Sequence, residues 1–564
     1  MTPKQFVEAY EKHGSIKAVA REEGITWYQA RKAYRAAVAA ELMDPQSVGR
    51  KSNGQVKKPE PVFTGETRVK KMPKFTVPKR GVRYYIFTSA QNNTKMHMPL
   101  WENLLALKDY FKGSMHVGRF AYMKSGLGEA GDKAKFTEVK KETLYGADTL
   151  AWADEIAPYI NDERCEVAPG LVWCGEWQRL PTVKRPLSGY ETYTGRKSGI
   201  FPHVKYEMQS VPASKFEDTK FNFTTGTVTR RNYILKGAGL QATFHHGYGA
   251  LLVAVDKDGD WFCYQLNATS DGVICFMDLM VKDGKVTSGH RIEGLNLGDL
   301  HRQKMDPVAN MLSAQMMTDL NPVHVFYHDV LNFGSRNHHD RKDPFKRFKR
   351  HVAGEEDVRE EVAQVMDYLE ERALFFPQSK HIIVDSNHDR ALERWLREAD
   401  WRDDPVNMLF YMEAAHAKLT SIAANDNEFH MLRHWWEQML SATTHEVENV
   451  RFLDEDESYV ICEDAHGGIE CGMHGHLGPN GSRGGAAAFA KMGRKANVGH
   501  THQAGIYDGI MTAGTLSLFD LEYNRGPSSW SHSVIVTYVT GKRAIYTFYN
   551  GKYKAGMTPL RMAA

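Results

Sequence analysis

The sequence predicts an α/β protein whose C-terminal part, residues 291–564, is a sandwich of two sheets flanked by helices. A small all-α helix-turn-helix (1–43), a basic flexible linker (44–81) and a mixed α/β domain (82–290) precede it. Three observations predict this class. Short apolar strands at 295–297, 323–327 and 381–384 each run straight into polar, chemically capable side chains, with helical stretches such as 355–374 between them. Chemistry at strand C-termini marks an α/β sheet. The segments 459–462, 469–474, 496–499 and 534–548 are strand-rich and supply a second sheet. The first 43 residues instead show short helical periods broken by Gly14 and Gly24.

Thr2-Pro3 starts the first helix, with Phe6, Val7 and Tyr10 inward. Ser15 caps the second, which carries Ile16, Val19 and Ala20 on one face. Gly24-Ile25 turns the chain and Thr26 caps the third. Helix, glycine turn, helix is a helix-turn-helix pattern. Gln29, Arg31, Lys32 and Arg35 fall on or near the open face of the third helix, a face that suits DNA: cations for phosphates, Gln for base edges. The same face also suits docking to protein. Residues 44–81, rich in Lys, Pro, Gly and Ser, have no sustained period and read as a tether. From Val82 a strand (84–88), an amphipathic helix (100–110) and a strand (115–122) predict a parallel pair. The polar loop 89–94 between them fits a ligand site or a capped turn. Residues 170–286 read as short strands, with His245-His246 a structural pair. No internal repeat is evident.

At 564 residues the chain predicts two to four domains. A net charge of +3 does not by itself call for a nucleic-acid partner, so local charge has to decide. Cys165, Cys174, Cys263, Cys275, Cys462 and Cys471 form no Cys-x-x-Cys pair and read as reduced thiols, not a zinc ribbon. With no secretory signal and no bilayer-length apolar run, a cytoplasmic protein without a membrane partner is expected.

The chemistry concentrates in five short motifs. Asp299 and His301 stand in Gly-Asp-Leu-His, and Asp329 follows His328. Asn387, His388 and Asp389 stand in Ser-Asn-His-Asp, His474 precedes Gly475, and His500 and His502 stand in Gly-His-Thr-His. Carboxylate, amide and imidazole donors without thiolate suit a pair of hard-to-borderline divalent cations. In this order the motifs resemble the calcineurin-like metallophosphoesterase superfamily, over roughly residues 291–548. The resemblance implies an αββα sandwich with two metal ions at the sheet edges. It implies Asp299, His301 and His502 on one ion, Asn387, His474 and His500 on the other, and Asp329 between them. Two cations about 4 Å apart need such a shared carboxylate, and they activate a water for in-line attack on phosphorus. His388 is implied to stabilise the phosphoryl oxygens or protonate the leaving oxygen, with Asp389 holding its ring. His476 competes with His474 as ligand. Three positions depart from the family pattern: His328 and Ser386 replace glycines, and Asn332 replaces the usual acid. Manganese is the expected metal; Fe, Zn, Co or Ni also suit such donors.

Beside these motifs Arg341, Lys342, Lys346 and Arg347 interleave with Phe345 and Phe348, which suits a polyanion. With the helix-turn-helix and linker, this predicts a metal-dependent DNA phosphodiesterase, a nuclease above all. The alternatives are a phosphatase or cyclic-nucleotide phosphodiesterase, and a DNA-binding regulator with a vestigial site. A helix-turn-helix followed by a large phosphoesterase also resembles proteins carried by tailed phages, among them pre-early proteins implicated in degrading host DNA. The host cytoplasm would then be the place of action. A homo-oligomer is left open.

Overall fold

The computed structural model of the protein describes residues 1–13, 16–40, 42, 75–122, 151–214, 217–340, 343–426, 429–463, 467–521 and 524–561. Residues 44–74 of the expected linker lie outside this set. The chain forms two compact units, Met1–Lys71 and Met72–Ala564. No helix among the described residues is long and apolar enough to cross a membrane.

In the first unit, helices α1 (Pro3–His13), α2 (Ile16–Glu22) and α3 (Trp27–Ala39) close around Phe6, Tyr10, Val19, Ala30, Ala33 and Ala37. Two capping boxes start helices here. Thr2 and Gln5 bond reciprocally ahead of α1, as do Thr26 and Gln29 ahead of α3. Gly24, at φ 63°, supplies the turn between α2 and α3.

The second unit is mixed α/β with several mixed sheets, and it contains a repeat that the sequence reading misses. Val82–Gln91 pairs parallel with Ser114–Phe120, as expected, and antiparallel with Gly249–Asp256, which pairs with Trp261–Asn267. Ile292–Asp299 does the same. It pairs parallel with His324–His328 and antiparallel with Ser533–Tyr538, which pairs with Arg543–Thr547. Lys380–Ile383 and Val450–Phe452 extend this second sheet in parallel to six strands.

The ten-stranded sheet is a palindrome of pairings. From one edge, Arg164–Ala168, Leu171–Cys174, Ser198–Phe201, Lys220–Thr224 and Met208–Val211 pair antiparallel, parallel, parallel, antiparallel. From the other edge, Val460–Ile461, Ile469–Glu470, Lys495–Val498, Ile510–Thr512 and Gly505–Tyr507 pair in the same sequence of senses. The two series meet antiparallel at Met208 and Ile506. Even single bonds recur. Thr227 Oγ1 donates to the Ser89 carbonyl and Thr515 Oγ1 to the Asp299 carbonyl, each at 2.8 Å. The position 290/291 therefore falls between two topological repeats, although both repeats share one sheet and one compact unit.

One apolar cluster joins the layers. Phe87, Leu251 and Val253 from the four-stranded sheet and Ile535 and Ile545 from the six-stranded sheet meet Trp173, Ile200, Phe223, Ile506 and Met511 of the ten-stranded sheet. Burying each such side chain contributes about 1.5–3 kcal/mol. The four- and six-stranded sheets also abut, Gln265 Oε1 accepting from Ile545 N at 2.9 Å. The polar loop at 89–94 is a buried, hydrogen-bonded turn. Gln91 donates to the Asn232 carbonyl and Asn232 to the Asn93 carbonyl.

Candidate metal centre

Parallel strands deliver their C-terminal ends to one edge, and that edge collects the motif residues. Asp299 ends Ile292–Asp299 and lies opposite His328, so Asp329 stands one residue beyond. Asn387 follows Lys380–Ile383, while His474 and His500 follow the parallel strands Ile469–Glu470 and Lys495–Val498. At the turn out of the strands the backbone is left-handed at His301 (φ 46°), Asp329 (45°), His500 (70°) and His502 (57°). Such φ values cost about 1–3 kcal/mol each and cluster where function holds them. Gly499 permits the closest approach, because a Cβ there would stand 2.3 Å from Asp299 Oδ1.

The seven expected ligands come together. His502 Nε2 lies 2.9 Å from Asp299 Oδ2 and 3.3 Å from His301 Nε2, which is 3.7 Å from Asp329 Oδ2. One donor atom from each of these four residues lies within 4.8 Å of the others. On its other side Asp329 Oδ2 is 3.3 Å from His474 Nε2, itself 3.1 Å from Asn387 Oδ1. The His500 ring stands 5.2 Å from that of His474, and its backbone N–H donates to Asp299 Oδ1. Asp329, 1% exposed, thus touches both groups. His476 stands further out, its ring 5.4 Å from His474 and 6.1 Å from His500.

This donor set fits divalent cations. Asp299 Oδ2, which has no well-directed hydrogen bond, faces the Nε2 atom of His502, and Asp329 Oδ2 faces those of His301 and His474. Leaving a buried carboxylate oxygen unsatisfied costs about 1–3 kcal/mol. Two imidazole nitrogens facing one another at 3.3 Å, between carboxylates, present lone pairs to a common point. The charges respond accordingly. Burial pushes the Asp299 carboxyl up, but His502 and His474 together outweigh it and hold the pKa near 2. Burial drives His301 well below the usual imidazole range. Burial would also lower His474, but Asp329, Asp299 and Asp389 together outweigh it and raise its pKa to about 9. A cation would displace that proton.

His388 and Asp389 require a correction. The His388 ring stands edge to face on His301, centroids 4.5 Å apart, but Asp389 does not orient it. His388 Nδ1 lies 3.0 Å from the backbone carbonyl of Asn332. Asp389 instead accepts from Leu331 N at 2.9 Å and from the Ser386 hydroxyl at 2.8 Å, tying loop 329–332 to loop 386–389. Burial, then Asp329, raises its pKa to about 8. Ser386 is therefore a partner to Asp389 where the resemblance expects glycine. His328 is fully buried, 5.6 Å from the His474 ring.

The expected nucleic-acid residues divide. Arg31, Lys32 and Arg35 are exposed on α3. Gln29 is corrected: its Oε1 accepts from Thr26 N and Thr26 Oγ1, so that oxygen serves the helix cap, not a base edge. Arg341 and Lys342 lie outside the described residues. In the helix Pro344–Ala353, Lys346 and Arg350 turn onto Asp340, while Arg347 is exposed between Phe345 and Phe348, themselves 85% and 67% exposed. Sequence reasoning also missed Trp530, whose ring lies 4.1 Å from that of His502.

Among the described residues, the first repeat lacks the donor set. Ser89 takes the place of Asp299, and Pro202-His203-Val204-Lys205 the place of Gly499-His500-Thr501-His502. Lys205 pairs there with Asp508. The one other carboxylate cluster among the described residues, Asp256, Asp258 and Asp260, is filled by the Lys552 ammonium at 2.7–2.9 Å.

No protein-family model matches the chain, and no solved structure matches it. It is 35% identical over 494 residues to Protein A1 of Escherichia phage T5, an alignment covering 85% of this chain and 84% of that protein. With that identity over most of both lengths, the chain belongs to the family of the phage T5 protein A1.

Proposed function

We propose that the protein is a phage-encoded, divalent-metal-dependent phosphodiesterase of the calcineurin-like type, and that its substrate is DNA. The single observation that carries this is the convergence of seven side chains from five motifs, with Asp329 shared between two groups of donors. Asp299, His301 and His502 would hold one ion, Asn387, His474 and His500 the other, and Asp329 both. Bound there, two manganese ions would draw charge from the phosphoryl oxygens and make a water nucleophilic near neutral pH.

The chain's own residues do the rest. The strands present all seven donors at one edge, so no ligand has to be recruited on binding. The Asn332 carbonyl accepts from His388 Nδ1, which leaves Nε2 to carry or release the proton needed at the leaving oxygen. Asp389 and Ser386 hold the two loops that carry Asp329 and His388. The six-stranded sheet and the second half of the ten-stranded sheet, both of mixed sense and meeting across one core, support an αββα reading. The exposed cations Arg31, Lys32 and Arg35, with Arg347 beside two exposed rings, support a polyanionic substrate over a small one. The host cytoplasm is the proposed place of action.

The test is incubation with Mn²⁺ and plasmid DNA, and separately with p-nitrophenyl phosphate and bis-p-nitrophenyl phosphate. Plasmid loss and diester hydrolysis, both abolished in His388→Ala, are expected. Fast monoester hydrolysis with intact DNA would sink the nuclease reading.

A further inference from the structure

The helix Pro344–Ala353 is built inside out. Asp343 caps it, accepting from Phe345 N at 3.0 Å and Lys346 N at 3.2 Å, and Gly354 ends it in the left-handed region at φ 69°. Between these caps it buries no side chain. Its charges turn inward, Lys346 and Arg350 both pairing with the buried Asp340. Its apolar stripe turns outward. Phe345, Phe348 and Val352, at helical spacings of three and four, are 85%, 67% and 71% exposed, and the exposed Lys349 stands among them. An amphipathic helix ordinarily hides such a stripe. Covering it is worth about 1.5–3 kcal/mol for each large side chain, which a partner would recover.

Charge and place say which partner. The helix carries Lys346, Arg347, Lys349 and Arg350 and no carboxylate, so the partner is an anion. Asp340, which anchors the helix, stands in the loop that leaves Asp329 at the candidate metal centre. In that loop His338 Nε2 accepts from Arg394 Nη1 at 3.0 Å. Partial burial, then His339, Arg394 and His388, hold His338 below the usual imidazole range, which keeps that nitrogen an acceptor. Arg394 is exposed, on the helix Ala391–Glu398 that follows His388 directly. A polyanion with flat apolar faces is a nucleic-acid strand with unpaired bases. In a duplex those faces are hidden in the stack, and exposed rings would gain nothing from the backbone.

We propose that the helix Pro344–Ala353 is a platform for single-stranded DNA: unpaired bases stack on Phe345 and Phe348, Arg394 with His338 holds a backbone phosphate, and the strand is thereby preferred to duplex. This rests on the DNA phosphodiesterase reading and names the form of its substrate. Every base has a π-face, so the platform does not read sequence.

The experiment measures binding of full-length protein in EDTA to labelled oligo-dT and to an abasic strand of the same length and charge. Wild type is expected to bind oligo-dT at least roughly tenfold more tightly. Leucine at both rings, Phe345→Leu with Phe348→Leu, keeps the apolar surface but removes the π-face and should bring the two affinities within about twofold. Tryptophan at both should keep the gap. Arg394→Gln should lower the log–log salt slope for oligo-dT by about 0.7, the share of one single-strand phosphate. With Mn²⁺, wild type should cut oligo-dT faster than its duplex with oligo-dA, and the leucine pair should lose that preference. A gap that survives the leucine pair, an unchanged slope in Arg394→Gln, or a duplex cut as fast as the single strand would overturn the proposal. So would a wild type without the gap that uses the two rings to bind phosphatidylglycerol vesicles or a second copy of itself. Bis-p-nitrophenyl phosphate with Mn²⁺ reads the chemistry separately: wild-type protein that does not turn it over would defeat the phosphodiesterase reading while the binding gap stands.

Discussion

Between Asp299 and His500 there is room for hydrogen only. Gly499 lets the 498–500 backbone close on Asp299 Oδ1, where a methyl group would intrude to 2.3 Å against a carboxylate already held by His502 and His500 N. Gly499→Ala should therefore displace a ligand without unfolding a domain. We expect manganese affinity to fall at least ~tenfold by calorimetry with an unchanged circular dichroism spectrum; full affinity would show the loop gives way freely. At this scale the convergence was largely legible in the sequence. Asp299, His301, Asp329, Asn387, His474, His500 and His502 advertise themselves because their side chains carry the donor groups that the proposed site needs. What holds His388 was not legible. The partner is the Asn332 backbone carbonyl, and a carbonyl is the same in every residue. Asp389 looked like the orienting carboxylate, but its oxygens are spent on Leu331 and Ser386.

Helices and strands explain both the successes and the misses at the next scale. The three N-terminal helices were readable because capping residues and glycine turns are local signals, and Thr26 does cap α3. The same local chemistry removes Gln29 Oε1 from any role on DNA. The exposed cations of α3 remain, and their contribution would be through phosphates. Reversing Arg31, Lys32 and Arg35 to Glu should weaken DNA binding in EDTA uniformly across sequences. It should also flatten the salt dependence by about 0.9 in log–log slope for each phosphate no longer neutralised. A filter-binding titration giving the same slope for both proteins would remove α3 from the interface. In the helix Pro344–Ala353, counting charges misleads. Lys346 and Arg350 neutralise Asp340, so the outward face is more aromatic than the composition suggests.

Across the whole molecule the principal surprise is the topological repeat. The pairing pattern recurs while the residues differ, with Ser89 at the place of Asp299 and Lys205 near that of His502. Reading along the chain cannot detect equivalence that is kept only in strand order and pairing sense. The scaffold also carries buried imidazoles outside the candidate metal centre. Burial lowers the pKa of His116, His203 and His381 to about 4 and that of His246 to about 3. Unfolded, these groups bind protons below about pH 6.5; folded, they do not until near pH 4 or lower. Stability should therefore fall as pH drops through this window, by on the order of 5 kcal/mol per pH unit near pH 5 if all four contribute fully. Thermal melts in EDTA between pH 4.5 and 7 should show Tm falling with acidity. A flat profile would mean that these rings are already protonated or reach water in the fold.

The most direct measurement is the metal content of the purified protein after manganese loading and removal of free ions, wild type against Asp329→Ala. Two ions per chain in the wild type, and less than one in the variant, is the predicted result, because Asp329 is the carboxylate that reaches both groups of donors. Wild-type protein that retains no manganese, or an Asp329→Ala variant that keeps the full complement, would contradict it.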